Sequence, residues 1–239
     1  MQKQPSEIEL QEIENQLRCP SGQKGIEMGE MMNETNIGMT LETIKNLNIQ
    51  DKNNVLEICH GNCGHLTKLL NQAENITYYG LEISETMCEE SKINNSKLTK
   101  TNKIDFRLYD GNSIPFPDNY FDRIMTVNTL YFWKNPMKFL NEICRVLKPE
   151  GIFILTFAHK KFMKTLPFVK QKFRLYDNED IQKLAENVAI TLTKIIENSE
   201  TVKSKTGILV ERKYSMVKMK KTNKITHETY KAHRNNPLC

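Results

Sequence analysis

With 239 residues, 38% of them hydrophobic and 26% charged, the chain is long enough to bury one full core without disulfide or metal staples. Its apolar runs are only a few residues long, too short to span a membrane, and its first seventeen residues are acidic and amphipathic, unlike a secretory leader. The net charge of +5 is unevenly placed: from Glu211 onward eight Lys or Arg stand against two Glu, so the rest is near neutral and the basic end reads as a solvated tail. Cysteines 19, 59, 63, 88, 144 and 239 then read as reduced thiols of a cytoplasmic protein.

In chain order, residues 6–18 have a helical stripe behind a Ser6/Glu9 capping box. Cys19-Pro20-Ser21-Gly22 breaks it. Residues 25–38 carry Met28, Met31 and Met32, with Met39 just beyond, a cluster that suits core filling or a lid. Residues 40–47 return to helix, with Leu41, Ile44 and Leu47 on one face. This first fifth is expected to be a helical appendage, residues 1–50, ahead of the main domain, residues 51–219, and a basic tail, residues 220–239.

Residues 55–58 are a short apolar run behind a polar turn, and Leu66, Leu69 and Leu70 follow at helical spacing. Strands are expected at residues 76–83, 103–109 and 121–127, with Ser84 capping the helix after the second. Asn135-Pro136 opens a helix with Phe139, Leu140, Ile143, Val146 and Leu147 as its buried stripe. Lys148-Pro149-Glu150-Gly151 stops it. Residues 152–157 form a strand apolar on both faces. An insertion, residues 159–176, combines four aromatics with six Lys or Arg, and Asp177 caps a last helix. Residues 189–196 and 207–217 pair as a hairpin. The alternation predicts an α/β fold, a doubly wound, mainly parallel sheet of seven strands with one antiparallel strand at or near its edge.

Polar groups then fall at successive strand ends: Glu57 and Gly61 after the first, Glu82 after the second, Asp110 after the third and Asn128 after the fourth. They converge on one crevice. Glu82 lies eighteen residues past Gly64, where an acidic side chain takes a ribose diol. Cys59-His60-Gly61-Asn62-Cys63-Gly64 is a glycine-rich dinucleotide pattern with its first glycine replaced. Against a dinucleotide stands Glu57, whose carboxylate would repel a pyrophosphate but suits a ligand carrying a ribose and a cationic group. Cys59, His60, Cys63 and His65 are all zinc-type ligands, yet they crowd onto one turn, whereas structural zinc joins separated pairs; no metal is expected.

These residues resemble the class I S-adenosylmethionine-dependent methyltransferases, in particular the methyltransferase-11 group that includes ubiquinone/menaquinone-biosynthesis-type enzymes. Residues 55–64 resemble the first motif of that family, and residues 80–87 the second. Asp110 through residues 115–118 to Phe121 and Asp122 resembles the third and fourth, and residues 142–151 the helix-to-strand signature. The resemblance covers roughly residues 50–160. It implies a Rossmann-like fold and S-adenosyl-L-methionine as cofactor. Glu57 would face the methionine amino group. The backbone at Cys59, Gly61 and Cys63 would admit the cofactor, Glu82 beside Ile83 would bind the ribose hydroxyls, and Asp110 and Gly111, with Asn112 or Ser113, would border the adenine. Asn128 would border the methionine part. The family usually has glycine where Cys59 and Cys63 stand. A Cβ there is tolerable if φ is negative, and Gly64 is a candidate to take over the flexible point.

The resemblance further implies methyl transfer by in-line displacement to a small-molecule acceptor. An oxidoreductase using a nicotinamide dinucleotide, or a non-catalytic binding protein of the same fold, are the alternatives. Asn128-Thr129-Leu130-Tyr131 replaces the Asn-Pro-Pro-Tyr-type tetrapeptide of nucleic-acid amino methyltransferases, which speaks against a nucleic-acid partner. The acceptor pocket is expected from the N-terminal appendage, residues 131–133 and the 159–176 insertion. His60, His65, Glu30 and Tyr131 are near enough to act as bases, but none has the context to be named.

Overall fold

A computed structural model describes residues 5–203 and 209–221. Its centre is a seven-stranded sheet built from β1 (Asn54–Ile58), β2 (Thr77–Glu82), β3 (Lys103–Leu108), β4 (Phe121–Val127), β5 (Leu147–Ala158), β6 (Ile190–Lys203) and β7 (Leu209–Lys221). The spatial order is β3-β2-β1-β4-β5-β7-β6. The first five strands run parallel, and β7 is antiparallel to both β5 and β6, one place in from the edge. The chain winds one way from β1 to β3 and then returns to β4 beside β1. A crevice therefore opens above the ends of β1 and β4, where the winding reverses.

β1 and the Ile152–Ala158 part of β5 are buried on both faces because layers of helix cover the centre of the sheet on both sides. Along β5, Ile152 and Ile154 join one core layer while Phe153 and Leu155 join the other. The first layer is closed by α2 (Gly22–Leu47) and α3 (Leu66–Leu70), through Met39, Ile44, Leu47, Leu66 and Leu69. The second is closed by α5 (Pro136–Val146) and α7 (Asn178–Glu186), through Phe139, Leu140, Ile143, Ile181 and Ala185.

Helix starts follow their caps. The predicted Ser6/Glu9 capping box opens α1 (Glu7–Arg18). Ser84 accepts from the Met87 amide at 3.1 Å to open α4 (Glu85–Asn94). Asn135 accepts from the Lys138 amide at 3.0 Å with Pro136 in the first turn of α5. In the insertion, only Lys160–Met163 is helical (α6).

Three boundaries differ from expectation. Residues 22–47 form one continuous helix rather than two segments, since Gly38 sits where the helix meets Glu200 and does not interrupt it. β5 begins at Leu147, which pairs with Phe121; the register then slips, and Lys148-Pro149-Glu150-Gly151 is held as a bulge before Ile152 resumes opposite Arg123. The hairpin strands are longer than predicted, and β7 includes residues 220 and 221, leaving residues 222–239 of the basic tail, with Cys239, outside the described residues. Residues 207 and 208 of the predicted last strand lie outside them too. Cys19, Cys59, Cys63, Cys88 and Cys144 carry free thiols. No helix among the described residues is long and apolar enough to cross a membrane.

Candidate cofactor crevice

The turn after β1 holds three residues in left-handed backbone within five positions. Cys59, Gly61 and Cys63 all have positive φ, at 55°, 61° and 51°. Only the glycine adopts this without cost; the left-handed conformation costs an ordinary residue about 1–2 kcal/mol. The negative φ that would have spared the two cysteines is absent. Gly64 does not take over the flexible point: its φ is not in the left-handed region, and a Cβ there would stand 2.9 Å from Asn33 Nδ2. Its smallness serves the approach of α2.

Glu57 is buried, and Oε2 accepts from Tyr78 Oη at 2.7 Å and faces His65 Nε2 at 2.9 Å. Burial pushes this carboxyl up, but the charge and hydrogen bond of His65, with the Tyr78 hydroxyl, carry it below its usual value. Burial likewise pulls the His65 imidazole down, and the Glu57 charge outweighs it, so His65 is raised. The two form a buried ion pair. Glu57 therefore does not present an unopposed negative charge, and its expected repulsion of a pyrophosphate loses its force. Its Oε1 remains without a partner among the described residues.

Cys63 points away from the crevice. It is fully buried, its Sγ 3.2 Å from Tyr78 Oη. The zinc-type ligands of this turn do not converge as a set. Cys63 and His65 come together with Glu57, ligand atoms within 4.8 Å of one another, but Cys59 Sγ turns to Tyr109 Oη at 3.6 Å and His60 Nδ1 to the Gly61 carbonyl at 2.8 Å. The His60 ring lies against Gly80, where any Cβ would come within 2.6 Å of it. Burial pulls its pKa down to about 4, so it is neutral, and Nε2 is buried without a partner.

Glu82, at the end of β2, is buried and accepts three backbone N–H groups: Gly61 at 3.0 Å on Oε2, and Ile83 at 2.7 Å and Ser84 at 3.1 Å on Oε1. Burial raises its pKa to about 7 against the pull of these bonds. The carboxylate thus ties the turn after β1 to the turn after β2. Oε2 retains room for one more donor. Asp110 is different. Its Oδ1 accepts the Asn112 and Ser113 amides, each at 2.8 Å, and those bonds hold the carboxyl below its usual value. Asn112 and Ser113 shape this turn and do not line the crevice.

Asn128 follows β4 with φ 58°. Oδ1 accepts from the Ala158 amide at 3.2 Å and Tyr131 Oη at 3.1 Å, and Nδ2 donates to Asn36 Oδ1 at 3.2 Å. Tyr131 is buried and held by Asn128 and Ala158, and burial raises its pKa. Glu30 is exposed on the far side of α2. Of the four candidate bases, Glu30 does not line the crevice, His65 is paired with Glu57, Tyr131 is held by Asn128 and Ala158, and His60 keeps an unpartnered but buried Nε2.

The crevice is a cavity of about 230 Å³. Of the expected cofactor residues, Glu57, Cys59, Gly61, Glu82, Ile83, Asp110, Gly111 and Asn128 line it; Cys63, Asn112 and Ser113 do not. The sequence reading missed the opposite wall: Pro20 at the α1–α2 corner, then Gly29, Asn33, Asn36 and Thr40 on α2. Those four positions recur in steps of four, three and four, one face of a helix. The signal was present, but as polar and small residues that an apolar stripe does not capture. A second cavity of about 90 Å³ adjoins the first and shares Leu17, Met32, Asn36, Asn128 and Phe132 with it. Phe162, Met163, Leu166, Phe168 and Phe173 of the insertion complete its apolar wall.

Residues 56–155 match the methyltransferase-domain family. Over that stretch, less than half of the chain, the protein is similar to methyltransferases. The demethylmenaquinone methyltransferase of Listeria monocytogenes serotype 4a is 35% identical over 116 residues, 46% of this chain and 46% of that protein. The chain thus matches about half the length of that curated relative. The uncharacterized methyltransferase YdaC of Bacillus subtilis is 25% identical over 169 residues, 67% of this chain and 90% of YdaC. Among solved structures, phosphoethanolamine N-methyltransferase 2 of Haemonchus contortus, in complex with S-adenosyl-L-methionine, superposes with a TM-score of 0.63 at 15% identity, over 78% of this chain and 53% of that one. At that identity the likeness is one of fold. Nothing in the family match supports the dinucleotide-dependent alternative.

Proposed function

We propose that the crevice binds S-adenosyl-L-methionine and that the protein methylates a small, largely apolar acceptor held in the adjoining cavity. The observation that carries this reading is the wall the two cavities share, which joins a crevice lined by Glu57, Glu82, Asp110 and Asn128 to an apolar, phenylalanine-lined pocket. Bound there, the cofactor supplies an electrophilic methyl group, which passes in line to the acceptor as the sulfonium charge is lost.

The residues present fit that ligand. Glu82 offers its remaining Oε2 lone pair to the ribose, while the three backbone N–H groups it accepts fix its direction. Ile83, Asp110 and Gly111 border the adenine side. Glu57 Oε1 and Asn128 border the methionine side, and Arg18 and Lys134 are the cations of the wall that can meet its carboxylate. The α1–α2 corner and the stretch of α2 from Gly29 to Thr40 act as the cap, covering the crevice and excluding water. The chain's contribution to rate is positioning, because no free base stands on the shared wall. Glu82→Ala is expected to weaken cofactor binding by about 1–3 kcal/mol. Unchanged affinity in calorimetry would remove the ribose assignment.

A further inference from the structure

The shared wall contains two polar side chains, Asn36 and Asn128, and no ionisable one. What it offers an acceptor is therefore a hydrogen bond, and the direction of that bond is fixed by groups that cannot reverse. The Ala158 backbone N–H can only donate, so the Asn128 atom it meets at 3.2 Å is the oxygen. Asn128 then presents Nδ2 to Asn36 at 3.2 Å, which makes the Asn36 atom its oxygen. Arg212 arrives at the same conclusion from the other side. Its guanidinium, which has only donors, meets Asn36 Oδ1 at 2.8 Å through Nη1. Arg212 is itself buried and fixed, through Nη2 to the Thr35 carbonyl at 2.6 Å and to Glu200 at 2.8 Å.

With its oxygen held twice, the Asn36 amide has one orientation, and Nδ2 carries two N–H groups with no partner among the described residues. The wall around it is Leu17, Met32 and Phe132, with the insertion's phenylalanines beyond. Arg212 is neutralised by Glu200, which leaves Lys203, an exposed residue, as the other charged side chain lining the second cavity among the described residues.

We propose that the Asn36 amide is the hydrogen-bond donor that receives the acceptor, and that the acceptor is an uncharged, largely apolar molecule bearing a carbonyl or hydroxyl oxygen. This rests on the methyl-transfer reading above. An apolar pocket alone discriminates shape weakly, whereas one directed donor favours the ligand bearing the matching oxygen. Arg212 is a positioning residue: its guanidinium is taken up by Asn36, Thr35 and Glu200, and it acts by holding the Asn36 oxygen.

A matched pair of ring compounds tests this on the full chain saturated with S-adenosylhomocysteine. 2-Acetylnaphthalene carries a carbonyl, and 2-ethylnaphthalene has the same shape without it. The ratio of their dissociation constants is measured for the wild type, Asn36→Leu, Asn36→Asp and Arg212→Met. Comparing ratios between proteins cancels the different hydration of the two compounds. The wild-type preference for the acetyl compound is expected to fall by about three- to tenfold in Asn36→Leu and Asn36→Asp. Asn36→Asp keeps an oxygen for Arg212 and Asn128, so it retains the fold while losing the donor. Arg212→Met is expected to lower the same ratio, read at an S-adenosylhomocysteine concentration raised to keep that variant saturated. An unchanged ratio in the Asn36 variants overturns the proposal. So does a wild type that binds S-adenosylhomocysteine but neither ring compound, a result that leaves the cofactor reading standing. Failure to bind S-adenosylhomocysteine overturns both.

Discussion

Cys59 and Cys63 hold left-handed backbone that glycine would hold without strain, and the two differ in what they gain for it. Cys63 fills a buried space beside Tyr78, so its side chain returns some packing. Cys59 lines the cofactor crevice with a partner only at 3.6 Å. Cys59→Gly relieves about 1–2 kcal/mol of strain and adds about 0.5–1 kcal/mol of chain entropy to the unfolded state. The expected result is a stability change within about 1 kcal/mol of zero or slightly favourable, with tighter cofactor binding, read by chemical denaturation and calorimetry. The glycine pattern was legible in the sequence, and so was its interruption; the sign of φ was not, because it depends on how α2 closes over the turn. The charge of Glu57 was also legible, but not its cancellation by His65, eight residues on, which only the turn geometry brings to 2.9 Å. Glu82 supplies the pH dependence. Its folded pKa of about 7 lies above the ordinary carboxyl value, so proton release during titration from about pH 6 to 8 converts it to the form that accepts ribose hydroxyls. Cofactor affinity is expected to rise by up to about tenfold over that window. For the free protein the sign is opposite. The raised pKa stabilises the fold at low pH, and that contribution is lost as pH rises through 7, by about 1 kcal/mol between about pH 6.5 and 8. The raised His65 loses its contribution in the same direction.

The helix α2 sets the shape of the site. Its second half is core: Met39, Ile44 and Leu47 pack on the sheet, and Thr43 Oγ1 meets Thr156 Oγ1 at 2.6 Å in full burial. Its middle, from Gly29 to Thr40, forms the crevice wall, and β7 clamps the helix through Arg212 to Thr35 and Asn36 and, near its C-terminal end, through Lys218 Nζ to the Asn46 carbonyl at 3.0 Å. The strands and most helices could be read from periodicity because each buries an apolar face. The continuity of α2 could not, since its methionines and glycines carry no clean stripe and its partners are scattered from Asn62 to Lys218. Two of those glycines separate by experiment. A Cβ at Gly25 would stand 2.7 Å from the Pro20 backbone carbon, whereas one at Gly29 meets only the flexible end of Met87. Gly25→Ala gains about 1 kcal/mol of helix propensity and costs about 1–3 kcal/mol in crowding. It is expected to lower stability and to weaken cofactor binding by shifting Pro20, while Gly29→Ala keeps its stability. Equal denaturation midpoints for the two variants would contradict this account of the corner.

At the scale of the whole molecule, the sheet order puts four strand ends around one opening, and the N-terminal helices and the insertion close it from opposite sides. That arrangement was legible as far as the parallel sheet and its crevice, since both follow from alternating elements and polar strand ends. The join between the two cavities was not, because Leu17, Met32, Asn36, Asn128 and Phe132 are scattered along the chain. On the proposed reading the crevice takes a sulfonium cofactor and its demethylated product. Titration calorimetry of the full chain at pH 8 against S-adenosylmethionine, S-adenosylhomocysteine and NAD tests it most directly. The expected result is saturable one-to-one binding of both sulfur compounds and none of NAD; heat from NAD alone, or from none of the three, would contradict it.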